Sequence, residues 1–102
     1  MKILTPGHKY ELSNFEKPDE AGQTIQFIEK SNNEDGTLTT VSDGTTNEEL
    51  LQVLMDRMNF LQAKFPCAEN AFAIASIFQA LTWLGVRTAN RVQRGVEGEA
   101  KL

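Results

Sequence analysis

Three arginines that close a long uncharged stretch are the residues best suited to chemistry in this chain. Arg87, Arg91 and Arg94 fall at i, i+4 and i+7, which sets all three on one face of a helix. All are Arg rather than Lys, and a planar guanidinium fork meets phosphate in bidentate fashion. The same charges also face the negative end of a helix macrodipole, which is a purely structural use for them. Phe60 lies off the apolar stripe of its own helix. Its ring is core or interface on the plainer reading, and a platform for a base, worth about 1–3 kcal/mol, on the sharper one. Asn70, in the first turn of the following helix, either caps that turn locally or presents an amide to a ribose or base edge.

Other reactive residue types point to little chemistry. Cys67 and the single histidine, His8, have no second metal ligand at a recognisable spacing. No Ser/His/Asp or Cys/His grouping and no nucleophile elbow stands out, so neither a catalytic site nor a metal or cofactor is expected. Arg94-Gly95-Val96-Glu97-Gly98 has the look of a phosphate-cradling loop, but it follows a helix rather than a strand, where a C-cap is the ordinary role.

The elements that position these residues read as an α+β fold: a small N-terminal antiparallel sheet, then a long antiparallel helical hairpin that oligomerises through its helices. Lys9–Phe15, Thr24–Lys30 and Thr37–Val41 are the expected strands, with the turn at Asn33-Glu34-Asp35-Gly36. Thr46 is the expected N-cap of the first helix, with Glu49 as its capping-box partner. Leu50, Leu54, Met58, Leu61 and Phe65 form its apolar stripe. Pro66 makes the corner, the second helix runs over about Ala68–Gln93, and Gly95 stops it. Gly85 inside that helix costs about 1 kcal/mol relative to Ala, which a close helix–helix approach would justify. The expected division is a sheet region over 1–45, a hairpin with an Arg-rich tip over 46–98, and a tail over 99–102.

Composition narrows the class. With 102 residues, 40% hydrophobic and 24% charged, this is one domain or a small unit that needs a partner to complete its core. A net charge of −4 and a pI near 4.9 disfavour binding to a nucleic-acid polymer. A single cysteine fits a reducing cytosol. The opening Met1–Gly7 is too short and too soon broken by Pro6 and Gly7 to read as a leader. Residues 70–86 carry no Asp, Glu, Lys or Arg, yet include Ser76, Gln79 and Thr82. A membrane span needs about 20 predominantly apolar residues, so a helix buried against partner chains is the better reading.

The order and spacing of several motifs resemble the phage Thoeris anti-defence family of the first-described type. They are Asp43-Gly44-Thr45-Thr46-Asn47-Glu48-Glu49, Phe65-Pro66-Cys67-Ala68-Glu69-Asn70, and Trp83-Leu84 leading into Arg87-Thr88, Arg91 and Arg94-Gly95-Val96-Glu97-Gly98. His8–Leu12 and Gly22–Ile28 are similar as well, so the likeness runs over roughly residues 8–98. Ala68 stands where a basic residue is expected, and Gly85-Val86 where polar or charged ones are. The helical hairpin of that family is shared with phage anti-CBASS cyclic-nucleotide sponges.

The resemblance implies a protein that does no chemistry. It would bind glycocyclic ADP-ribose, the cyclic ADP-ribose isomer made by the TIR enzyme of Thoeris defence, and withhold it from the effector in the cytoplasm of the infected bacterium. Phe60 would stack on the adenine, Asn70 would contact a polar edge, and Arg87 and Arg91 would hold the pyrophosphate and ribose side. Dimers assembled into hexamers are implied too. By analogy with the related sponges, Arg94, Gly95, Val96 and Glu97 are candidates for a second site taking cyclic di- or trinucleotides. The rival readings are an enzyme that degrades the messenger and a structural phage oligomer.

Overall fold

A computed structural model describes residues 1–99 of the chain, so the expected tail lies, from residue 100 on, outside the described residues. The class is α+β: antiparallel sheet N-terminal to two helices. Two compact units divide the chain, Met1–Thr46 and the part from Asn47 onward.

In the first unit, β1 (Lys2–Thr5), β2 (Lys9–Glu11) and β3 (Thr24–Gln26) form a three-stranded antiparallel sheet in that order. Tyr10 sits opposite both Ile3 and Ile25. Its ring meets Phe27 edge-on, with centroids 6.0 Å apart. Strand β1 was not among the expected elements. It exists because Ile3 finds Tyr10 and Lys2 finds Glu11, whose charged groups lie 3.9 Å apart. The expected strand Lys9–Phe15 ends at Glu11, where Leu12 N–H turns to Gln23 O and the chain enters a loop. Gly22 permits that approach: a Cβ there would fall 1.5 Å from Leu12 O.

The expected strand Thr24–Lys30 is two strands belonging to different sheets. After β3, Phe27 N–H bonds His8 O and Ile28 N–H bonds Thr45 O, so the backbone changes partners at these two residues. β4 (Glu29–Asn32) then pairs with β5 (Leu38–Ser42) as a separate antiparallel hairpin. Its turn lies where Asp35-Gly36 placed it, and Gly36 takes φ +87. Asp35 Oδ1 accepts from both the hydroxyl and the N–H of Thr37, and these bonds hold its carboxyl below the usual range.

The second unit is α1 (Asn47–Lys64) and α2 (Ala68–Gln93), packed as a hairpin. Thr46 immediately precedes α1, and Glu48 and Glu49 occupy its first turn. The partly shielded residues of α1 are Glu48, Leu50, Leu51, Met55, Met58, Leu61 and Gln62. The expected stripe is therefore displaced: Leu54 and Phe65 are exposed, and Leu51 and Met55 take their place. At the corner, the Gln62 amide bonds both the N–H and the C=O of Cys67, at 3.1 and 3.0 Å. Cys67, not Asn70, caps α2. Its backbone is extended and its Sγ accepts from Asn70 N–H at 3.4 Å, the reach a Ser hydroxyl makes in a capping box.

α2 would measure about 39 Å at roughly 1.5 Å per residue for its 26 residues. By length and composition it is also apolar enough to cross a membrane. It ends in a Schellman turn: Gly95 takes φ +74, Gly95 N–H bonds Val92 O, and Val96 N–H bonds Arg91 O. No apolar side chain among the described residues is buried. Phe72 and Phe78 stay 71% and 62% exposed on α2, so the chain by itself leaves most of this helix uncovered. Gly85 touches nothing that a Cβ would disturb, so among the described residues no close helix approach explains it.

Candidate ligand-binding site

Near its C-terminal end, α2 carries an open pocket of about 300 Å³ lined by Trp83, Val86, Arg87, Asn90, Arg91 and Arg94. Residues 83, 87, 90 and 94 step by four, three and four, which keeps them on one face of the helix. The charge of the pocket is cationic, and its wall combines an indole, an amide and guanidinium groups. Such a set can hold an anion by charge-assisted bonds and an aromatic ligand by its face.

The three arginines are not equivalent. Arg87 is exposed, and among the described residues its side chain makes no hydrogen bond or ion pair. Arg91 is only 6% exposed, the one buried side chain among the described residues. Its Nη2 donates to Val96 O at 2.9 Å and to Glu99 O at 2.7 Å, and its Nε lies 3.3 Å from Glu97 Oε2. Burying a guanidinium is costly unless it is paired and bonded, and the turn after α2 supplies both. Arg94 is the C-cap residue, its backbone N–H bonded to Asn90 O.

That network bears on the turn Arg94, Gly95, Val96 and Glu97. The N–H groups of Gly95 and Val96 are spent on the Schellman turn, and Val96 O and the Glu97 carboxylate are spent on Arg91. A ligand at this turn would have to be held by side chains rather than by a nest of amides.

Phe60 and Asn70 lie at the other end of the hairpin. Phe60 is 57% exposed, with Lys64 Nζ 4.7 Å above its ring centroid. Asn70 is partly shielded and uses its backbone N–H on Cys67. Asn70 and Arg87 stand 17 positions apart on one helix, about 26 Å at roughly 1.5 Å per residue. The structure thus groups Arg87, Arg91 and Arg94 and leaves Phe60 and Asn70 apart from them. Trp83 and Asn90 join the arginine group. Their spacing to Arg87 and Arg94 was the signal in the sequence that would have found them.

A larger surface cavity of about 470 Å³ opens in the first unit between β1, β2 and the loop near Pro18–Ala21. It sets Glu11, Asp19 and Glu20 against Lys2, the wrong balance for an anion. Among the described residues, no group of three or more His, Cys, Asp or Glu is placed to hold a metal.

No family model matches this chain. Over 58 residues, 56% of the chain, it is 47% identical to a Bacillus phage SBSphiJ7 protein named Thoeris anti-defense 1. The match covers 41% of that relative, so the chain spans about two-fifths of the length of the curated protein it matches. The identity supports the phage Thoeris anti-defence family.

Proposed function

We propose that this chain is a phage anti-defence protein that captures glycocyclic ADP-ribose and withholds it from the Thoeris effector without cleaving it. The observation that carries the reading is Arg87: an exposed guanidinium, unpartnered among the described residues, in a pocket with an aromatic wall. A dianionic, purine-bearing ligand needs such donors and such a face. The 47% identity to a Thoeris anti-defence protein supports the anti-defence role, and the setting we propose for it is the cytoplasm of the infected bacterium.

Phe60 and Asn70 enter the same site only from a second copy of the chain, since about 26 Å of helix separates Asn70 from Arg87. The uncovered apolar side chains of α2 give that second copy a reason to bind. Dimers built in this way, assembling further to hexamers, complete the reading. In it Phe60 stacks on the adenine, Asn70 contacts a polar edge, and Arg87 and Arg91 line the phosphate side. A second site for cyclic di- or trinucleotides at Arg94, Gly95, Val96 and Glu97 belongs to the same proposal and relies on side-chain donors.

Calorimetry with purified glycocyclic ADP-ribose tests the reading. Saturable binding at nanomolar affinity, about −12 kcal/mol, is expected of a sponge, and absence of binding at micromolar ligand contradicts it.

A further inference from the structure

We infer that Trp83 is the stacking face that the Arg87 pocket itself supplies, so that one protomer engages both the base and the phosphates of a purine nucleotide and Phe60 of a second copy is left the opposite face of the base. The inference rests on the capture reading and names the side chain that would recognise the base.

Trp83 is 65% exposed, and among the described residues its indole has no ring partner and no hydrogen bond. It shares the pocket with Arg87, Asn90 and Arg94. Trp83 and Arg87 are four positions apart, about 6 Å along the helix at roughly 1.5 Å per residue. A flat apolar ring thus stands one turn from an unpartnered guanidinium. Asn90, on the same face, adds an amide able to donate and accept at a base or ribose edge.

Arg91 strengthens the assignment by what it no longer offers. Its guanidinium is buried and tied to Val96 O, Glu99 O and Glu97, so the pocket's unspent charge starts with Arg87. The ring near that charge is Trp83. Phe60, at the far end of the hairpin, already has Lys64 over its ring. A nucleotide whose phosphates lie on Arg87 therefore finds its nearest stacking partner in Trp83 of the same helix. Bases stack on any aromatic face, so the pocket favours a purine nucleotide over a bare sugar phosphate.

Trp83 is the single tryptophan of the chain, so its emission reports on this pocket alone. The full chain is titrated with glycocyclic ADP-ribose while heat and tryptophan emission are recorded together. The emission should change with the same midpoint as the heat. Trp83→Phe should bind within a few-fold of wild type, and Trp83→Leu should lose roughly ten- to a hundredfold in affinity. If Trp83→Leu does not fold, the wild-type emission and Trp83→Phe still decide the matter. Heat of binding with unchanged emission overturns the inference and leaves capture standing. A blue-shifted, ligand-insensitive emission also overturns it, because a second copy then covers the indole. Neither heat nor emission change overturns capture, and the inference with it.

Discussion

Arg91 and Glu97 are bound to each other, Nε to Oε2 at 3.3 Å, while the same guanidinium spans to the carbonyls of Val96 and Glu99. The last turn of α2 is therefore closed by a buried cation and not by glycine alone. Arg91→Ala should lower stability by about 1–3 kcal/mol, the range for losing charge-assisted bonds to a buried group. Amide exchange should quicken at Val96 and in its neighbours. Thermal unfolding with hydrogen exchange measures both, and an unchanged melting temperature with unchanged exchange would contradict this role.

Arg87 should behave in the opposite way. It is exposed and, among the described residues, its side chain has no partner, so Arg87→Ala should shift stability by less than about 1 kcal/mol. Messenger binding should fall by several kcal/mol, because the ligand's charge is left poorly compensated. Wild-type capture by Arg87→Ala in calorimetry would remove the guanidinium from the site.

Assembly through α2 is the expectation its surface sets. Phe72 and Phe78 are 71% and 62% exposed, so the purified protein should be oligomeric by light scattering. Ala75→Glu or Phe78→Asp should dissociate or unfold it. Because α2 is also apolar enough for a membrane, sedimentation with and without vesicles belongs in the same test. A folded monomer at micromolar concentration, or quantitative recovery with vesicles, would contradict assembly through α2.

The β4–β5 turn gives a pH prediction. Thr37 holds the exposed Asp35 carboxyl below its ordinary range, so the unfolded chain takes up this proton first as pH falls. The contribution of the turn is thus present above the ordinary Asp pKa and lost as pH drops through the lowered folded value. The Thr37 amide resonance should move over that acidic window and stay still from pH 5 to 8. A shift centred near neutrality would contradict the Asp35 assignment.

What the sequence disclosed depended on how local each signal was. Pro66 and Gly95 bracket α2 through backbone restrictions that travel with the residue, and its limits are Ala68 and Gln93. β1 was hidden because its reason for existing is Tyr10, a partner found only across a turn. The division of Thr24–Lys30 depends on His8 O and Thr45 O, backbone groups that no residue type announces. In the site, the spacing placed Arg87, Arg91 and Arg94 together, but the burial of Arg91 came from the carbonyls of Val96 and Glu99. Cys67 escaped as a cap because sulfur is outside the usual set of capping oxygens.

Release of the captured ligand tests sequestration most directly. Protein loaded with glycocyclic ADP-ribose is freed of unbound ligand, denatured by heat, and the supernatant is analysed by mass spectrometry and applied to the Thoeris effector. Capture without chemistry predicts recovery of the intact messenger, close to stoichiometric with the sites, and full effector activation. Recovery of a product of different mass, or of material that leaves the effector silent while unheated messenger activates it, would show that the protein transforms its ligand and contradict the account.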